Sequence, residues 1–304
     1  MDSSKPTLIL DHVNKSFGDF NAVTDLSLQV RPGRVFGLIG PNGAGKTTTI
    51  RMIVNITLPD SGRIELLGQS MTTALQDRIG YLPEERGLYR RMKIGEQLKF
   101  FAELKNVTGS EADTRINRWL TKLQLQDWKD KRTKDLSKGM QQKVQFITSV
   151  IHEPDLLILD EPFSGLDPVN VDLMKETILE LKSENKTIIL STHQMEIAEK
   201  LCDDVCMINR SRKVFDGGLR EIRRSFALNA VAVRLEGADG FPNDPELIVS
   251  VREVGDEFEV LLNPGTSPQT LLKRLVDSEV IITKFELIEP SLHDIFVQKV
   301  REAA

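Results

Sequence analysis

The chain has 304 residues, with 40 lysines and arginines against 45 aspartates and glutamates, a net charge of −5 and 40% hydrophobic residues. That length suits one large domain plus a small one, and interspersed acids and bases argue against a dedicated nucleic-acid binder. Two cysteines are too few for a disulfide scaffold. The start Met1-Asp2-Ser3-Ser4-Lys5 lacks a signal-peptide pattern, and no apolar run approaches the roughly 18 residues of a membrane span.

Leu8 to Val30 reads as two strands, with alternation at Leu26, Leu28 and Val30. Val35-Phe36-Gly37-Leu38-Ile39 is too short for a helix and reads as a buried strand. It runs into Gly40-Pro41-Asn42-Gly43-Ala44-Gly45-Lys46-Thr47-Thr48, where Gly40, Gly45, Lys46 and Thr47 satisfy G-x-x-x-x-G-K-[ST]. Thr48 to Asn55 then carries Ile50, Ile53 and Val54 at helical spacing. Glycines let backbone N–H groups approach phosphates closely, and a helix start adds partial positive charge. Lys46 is placed to reach β/γ-phosphates, and the Thr47 hydroxyl to sit on Mg²⁺. A glycine-rich turn with a surface lysine has the same spacing, but strand before and helix after favour a phosphate cradle.

Pro59-Asp60-Ser61-Gly62 reads as a turn before a strand at Arg63–Leu67, and Ile79-Gly80-Tyr81-Leu82-Pro83 leads to Glu84. From Glu84 to Leu123 the pattern is helical, with Ile94, Leu98 and Phe101 on one face and Ile116, Leu120 and Leu123 on another. The charge run Lys129 to Asp135 reads as a solvated loop. Leu136-Ser137-Lys138-Gly139-Met140-Gln141 opens a helix carrying Val144, Ile147, Val150 and Ile151, with Ser137 as its N-cap. A serine hydroxyl beside free N–H groups makes a second anion site in the same chain.

Leu156-Leu157-Ile158-Leu159 is another buried strand, ending in Asp160 and Glu161. Side chains at the carboxyl end of such a strand project into the ligand crevice. Asp160 fits the carboxylate on the Mg²⁺ side, and Glu161 the group that polarises an attacking water. Asp-Glu-Pro would otherwise read as a strand end and turn; the glycine loop upstream favours the chemical reading. Asp167-Pro168 starts a helix through Leu181, and the strand Thr187–Ser191 leads through Thr192 to His193. In Leu201 to Ile208 a helix end runs into a buried strand, with Cys202 and Cys206 as core thiols.

In this order the segments resemble ABC ATPases. Leu136–Gln142 is similar to that family's signature sequence, Ser164-Gly165-Leu166-Asp167-Pro168 to its D-loop, and Ser191-Thr192-His193 to its switch histidine. These motifs extend from Leu8 to about Gly217. The resemblance implies an α/β P-loop NTPase of ABC type: a parallel-sheet core, an antiparallel β subdomain, and a helical subdomain at about 84–150. It also implies ATP and Mg²⁺ as cofactors. Nucleotide would be held by Phe17 stacking on adenine and by Gly40, Asn42, Gly43, Ala44, Gly45, Lys46, Thr47 and Thr48. Ser137 and Gly139 would come from a second copy paired head to tail, and Asp167 of the D-loop would also bind nucleotide. Thr47, Glu84 and Asp160 would serve the metal, Glu161 and His193 the hydrolysis. Two departures stand out: Glu84 where the family usually has glutamine, and Lys138 and Met140 in place of glycine and glutamine. An ionised glutamate only accepts hydrogen bonds, so Glu84 adds negative charge beside the triphosphate and makes hydrolysis depend more on the metal and a partner.

Around Phe226 the character changes, dividing the chain into 1–225 and 226–304. Asn229–Leu235 alternates, Leu247–Val254 and Glu257–Leu262 read as strands joined near Gly255-Asp256, and Ser267-Pro268 caps a helix through Val276. Ile281–Leu287 is a further strand, and Ser291 caps a last helix to Val300. Glu289-Pro290-Ser291-Leu292-His293-Asp294-Ile295-Phe296 resembles the C-terminal extension of ABC-2-type exporter ATPases. That small α+β domain suits dimerisation or regulation as well as packing against its own ATPase domain. Tyr81 to Tyr89 and Leu136 to Gln142 are similar to ATPases of sodium-extruding ABC-2 exporters. The implied protein is an ATPase subunit at the cytoplasmic face of a membrane, in a homodimer, driving export of a solute such as Na⁺ through integral-membrane permease subunits. A soluble ABC ATPase acting on ribosomes or nucleic acid is the alternative, but neither a second cassette nor a long coiled-coil insertion is present. A non-hydrolysing nucleotide binder would not need Asp160, Glu161 and His193 together.

Overall fold

A computed structural model describes residues 5–70, 72–85, 87–226, 230–236, 240–242, 244–278, 280–288 and 290–302. Met1 to Ser4, Arg86, the expected strand start Asn229, and Glu289 lie outside them. In chain order the elements are β1 (Leu8–Phe17), β2 (Phe20–Val30), β3 (Val35–Ile39), α1 (Lys46–Ile53), β4 (Ser61–Leu66), β5 (Gln69–Ser70), α2 (Thr73–Gln76) and β6 (Ile79–Leu82). There follow α3 (Ile94–Leu104), α4 (Gly109–Lys122), α5 (Lys138–Val150), β7 (Leu156–Asp160), α6 (Pro168–Ser183), β8 (Thr187–Thr192), α7 (Met195–Leu201), β9 (Asp204–Asn209), β10 (Arg212–Gly218) and α8 (Leu219–Phe226). The chain ends with β11 (Ala230–Glu236), β12 (Ile248–Val254), β13 (Glu257–Leu262), α9 (Pro268–Asp277), β14 (Ile281–Leu287) and α10 (Leu292–Glu302). Among the described residues no helix is long and apolar enough to cross a membrane.

Two compact units emerge: one holds the described residues as far as Gln194 with Leu201–Asp216, the other Met195–Lys200 with those from Gly217 onward. The first contains an antiparallel sheet of order β2-β1-β4-β5 and a sheet of order β10-β9-β3-β8-β7-β6. Strands β9, β3, β8, β7 and β6 pair in parallel. Every residue of β3, β7 and β8 is buried, as continuous apolar strands must be when both faces of a parallel sheet are covered. Ile39 pairs with Thr192, Asp160 with Ser191, and Leu82 with Leu159. The segments that continue from Ile39, Asp160, Thr192 and Leu82 therefore leave one edge of the sheet, its carboxyl end. That edge is where open α/β sheets bind ligands.

The stretch between the two halves of that edge differs from the sequence expectation. Helix starts at Ile94, not Glu84, and the buried stripe is Ile94, Leu98 and Ala102. The Phe101 ring instead turns to Tyr89 and Phe100, at centroid distances of 6.2 and 5.5 Å. The charge run is more than a solvated loop. Its carbonyls at Lys131 and Lys129 accept the first N–H groups of α3, from Ile94 and Gly95, at 3.0 and 2.8 Å. Charged side chains can point outward while the backbone beneath them satisfies an otherwise orphaned helix start. Thr133 of this run is buried and accepts from Gln97 Nε2 at 3.2 Å.

In the second unit, the antiparallel sheet has the order β12-β13-β11-β14. Val231 and Val233 join Val260, Leu271 and Leu275 in one cluster, while Ala230 joins Val249, Leu261 and Val297 in another. The two sets alternate along β11, as the two faces of a strand require. The hairpin at Gly255-Asp256 and the cap at Ser267 lie where the sequence places them. At the start of α10, Ser291 and Asp294 exchange hydrogen bonds in a capping box, and Glu199 accepts from the Leu292 N–H.

Candidate active site

The loop after β3 is shaped by what its glycines leave out. Gly40 sits at φ 150° and Gly45 at φ 109°. A Cβ on Gly40 would meet the Ile208 carbonyl oxygen at 2.1 Å, and one on Gly45 the Ala22 carbonyl oxygen at 2.3 Å. Helix α1 begins at Lys46. Gly45 is its N-cap, with no side-chain cap, so its first N–H groups stay available to an anion. Lys46 is buried, and its ammonium donates to the Gly40 and Pro41 carbonyls at 2.8 and 3.1 Å. Burial pushes the Lys46 pKa down, while Glu161, Asp160 and Glu84 oppose that shift.

Asp160 and Glu161, adjacent in sequence, have different surroundings. Asp160 is fully buried; Oδ1 accepts from the Ser191 hydroxyl, and Oδ2 has no hydrogen-bond partner. Burial holds its carboxyl above the ordinary range, against the opposing hydroxyls of Ser191 and Thr47. An orphaned carboxylate oxygen close to Thr47 is a donor set that suits a hard divalent cation whose other ligands are waters and phosphate oxygens. Among the described residues no three His, Cys, Asp or Glu side chains gather as a self-sufficient metal site. A cation beside Asp160 and Thr47 would take its remaining ligands from water or a phosphate-bearing ligand.

Glu161 takes a left-handed backbone conformation, φ 48°, which is uncommon for a residue with a Cβ and concentrates at functional sites. Its N–H donates to the Ser191 hydroxyl at 3.2 Å. The carboxylate accepts from the His193 N–H at 3.0 Å, stands 2.8 Å from His193 Nδ1 and 3.8 Å from Lys46 Nζ. With a carboxylate as its neighbour, Nδ1 carries the imidazole proton. The β7–β8 register thus delivers acid and histidine, and the β3–β8 register the lysine, to one point.

A cleft of ≈ 400 Å³ opens there, lined by Phe20, Asn42, Gly43, Gly45, Lys46, Thr47, Thr48, Glu84 and Glu161 together with Ala22. Gly40 and Ala44 underlie it: Gly40 through its carbonyl on Lys46, Ala44 through an N–H bonded to Pro41 O at 3.2 Å. Phe17 pairs across the hairpin with Phe20. Phe20 lines the cleft, whereas the half-exposed Phe17 ring has the Lys15 ammonium 5.4 Å from its centroid. Sequence reasoning overlooked Phe20, although a second aromatic three residues from the first was a visible signal. It named Ser191 and Thr192 only as the lead-in to His193; their bonds to Asp160 and Glu161 appear only once strand register sets them together.

Ser137, Gly139 and Asp167 do not line this cleft. The exposed Ser137 hydroxyl accepts from the Met140 N–H at 3.2 Å and caps α5. Gly139 packs by the D-loop segment, where a Cβ would lie 3.4 Å from Leu166 Cδ2. Asp167 caps α6; the Asn170 N–H donates to it at 3.0 Å, and Asn170's backbone and side-chain bonds hold its carboxyl below the usual range. A separate groove of ≈ 390 Å³ is lined by Ile56, Pro83, Leu88, Phe101, Leu104 and Gln145, among others.

Comparison with known proteins gives a consistent set of likenesses. A family model described as "ABC transporter" matches residues 23–164, and one for the C-terminal domain of DrrA1-3-like ATP-binding proteins matches 217–300. The chain is 44% identical to the uncharacterized ABC transporter ATP-binding protein YhaQ of Bacillus subtilis, over 96% of this chain and 98% of the relative. It is 38% identical to the Nod factor export ATP-binding protein I of Cupriavidus metallidurans, over 71% of this chain and 72% of that one. A solved ATP binding subunit of an ABC transporter superposes with a TM-score of 0.68 at 32% identity, covering 73% of this chain and 94% of the other. CbiO1 of Clostridium perfringens, part of the transporter complex cbiONQ, gives a TM-score of 0.64 at 26% identity, covering 74% of this chain and 96% of that one.

Proposed function

The chain belongs to the ATP-binding proteins of ABC transporters, and from that premise we propose that it is the ATP-hydrolysing subunit of an exporter whose membrane path lies on separate polypeptides. The observation that carries the reading is the pairing of a lysine–glycine phosphate cradle with a buried Asp160–Glu161 pair in which Asp160 Oδ2 lacks a hydrogen-bond partner. Lys46 exchanges its loop carbonyls for phosphate oxygens. Thr47 and Asp160 would hold Mg²⁺, with Glu84 at the same cleft; the metal would supply charge neutralisation for the phosphates. Glu161 takes the proton of the attacking water, and His193, hydrogen-bonded to Glu161 in this structure, senses the γ-phosphate.

The separation of Ser137 and Gly139 from the cleft supports a head-to-tail homodimer, in which α5 of one chain closes the nucleotide of the other. The apolar groove at Pro83, Leu88 and Phe101 suits a docking segment of an integral-membrane permease, and an ATPase docked there would work at the cytoplasmic face. Likeness to an export ATP-binding protein supports outward transport, and the sequence similarity to sodium-extruding exporters makes Na⁺ the first cargo to test. A soluble role on ribosomes or nucleic acid gains no support from the relatives above. The test is co-purification with the membrane partner and reconstitution in vesicles. Mg–ATP turnover stimulated by a transported solute, Na⁺ first, and abolished by Glu161→Gln is the expected result. A chain that neither binds Mg–ATP nor retains a membrane protein would overturn the proposal.

A further inference from the structure

We propose that Gln145 is a positioning residue that fixes Glu84 in the nucleotide cleft and ties it to the Ser137 end of α5. The proposal rests on the nucleotide reading above. Gln145 Nε2 donates to the Pro83 carbonyl at 3.2 Å and to the Glu85 carbonyl at 3.0 Å. These are the carbonyls on either side of Glu84, so one amide group sets the backbone orientation before and after that residue. With two carbonyls as neighbours, the nitrogen must face them, which fixes the amide's orientation.

The other end of the same amide is informative. Gln145 is 3% exposed, and its Oε1 is buried without a hydrogen-bond partner. A buried, unsatisfied acceptor costs stability. A methionine or leucine would fill the space without that cost. Packing alone therefore does not account for a glutamine here; its two donor bonds do.

What the clamp holds is a residue with reason to move. Glu84 lines the cleft beside Glu161 and Lys46, and its charge acts on the Lys46 ammonium together with those of Asp160 and Glu161. A third carboxylate there is repelled by the other two, and a fixed backbone resists that repulsion. Gln145 and Pro83 also line the apolar groove, while Glu84, the next residue, lines the cleft. The loop is thus a thin partition between groove and phosphate site. Helix α5 carries Ser137 at its start and Gln145 eight residues later, about 12 Å along one rigid rod. Movement of either the groove's occupant or the Ser137 end reaches Glu84 through the same two hydrogen bonds.

The experiment is a double-mutant cycle in the full chain with its membrane partner. Gln145→Met keeps the volume and removes the donors; Gln145→Leu serves the same purpose if the methionine variant does not fold. The expected result is kcat lowered about tenfold, KM for Mg–ATP within about twofold, Tm equal to or above wild type, and no further loss when the change is added to Glu84→Ala. Unchanged kcat, a lower Tm with wild-type turnover, or additive losses in the double variant would overturn the proposal. A wild-type chain that does not bind Mg–ATP overturns the nucleotide reading and this proposal with it. Normal binding with an indifferent Gln145→Met overturns this proposal alone.

Discussion

At the start of α1 the cap is Gly45, without a side-chain cap, and Lys46, Asp160, Glu161 and His193 gather around the free N–H groups. At the start of α5 the cap is the exposed hydroxyl of Ser137, and no cleft-lining residue of its own chain includes Ser137, Lys138 or Gly139. Both ends offer an anion the same N–H groups and dipole. Only the first also carries the groups needed to break a bond. On the proposed function, the first would be the reaction site and the second a lid that serves another chain.

The largest effect that separates the two ends is chemical. Glu161→Gln removes the base and leaves the cradle intact, so turnover falls at least about a hundredfold while Mg–ATP binding persists. Analytical ultracentrifugation with ATP then finds a dimer; a monomer hydrolysing at the wild-type rate breaks the comparison. Next comes binding. Lys46→Ala weakens ATP by roughly thirty- to a hundredfold in calorimetric titration, about 2–3 kcal/mol, as loss of a charged contact does. Ser137→Ala leaves the affinity of a single chain within about twofold and costs about 1 kcal/mol of stability through the lost cap, read by urea unfolding. Equal losses of affinity in both variants would erase the distinction.

A smaller effect reports on the cradle's electrostatics. Burial raises the Asp160 pKa in the folded chain above its unfolded value, so the folded state binds this proton more tightly. Above the raised value the ionised carboxylate costs stability, and the cost fades as pH falls through the folded pKa towards the ordinary carboxylate range. Asp160→Asn is therefore more stable than wild type at pH 7–8, by on the order of 2–4 °C in Tm, and the advantage shrinks towards pH 4. A wild type that is the more stable at pH 7–8 would contradict this. Smallest of all, Glu84→Gln changes partner-free turnover a few-fold, since an amide can donate where a carboxylate only accepts.

Much of the site was legible because its parts are local. A glycine loop between a buried strand and a helix, or a buried strand ending in Asp160-Glu161, can be recognised from a dozen residues. Contacts made by register cannot. Ser191 on Asp160, Thr192 and His193 on Glu161, and Gln145 on Pro83 and Glu85 join segments 31 to 62 residues apart, and nothing in either segment names the other. The same limit explains the charge run at Lys129–Asp135. Its side chains mark it as solvated, but its carbonyls cap α3, and backbone groups leave no trace in a pattern of polar and apolar letters. Phe101 illustrates a finer ambiguity: it and Ala102 both lie near the helical stripe, and the exposed Tyr89 and Phe100 rings decide between them. For the C-terminal unit the strands and caps were visible, while the Glu199 bond to the start of α10 was not.

The central claim is that one reaction site is completed by two chains, and a mixing experiment tests it most directly. Lys46→Ala spoils the cradle, and Ser137→Arg spoils the lid; each chain alone is inactive in the reconstituted complex. Mixed, they form dimers in which the intact cradle of the Ser137→Arg chain meets the intact lid of the Lys46→Ala chain. The account predicts that ATP hydrolysis returns in the mixture. Continued inactivity, with mixed dimers demonstrably formed, or a Ser137→Arg chain that is fully active alone, would contradict it.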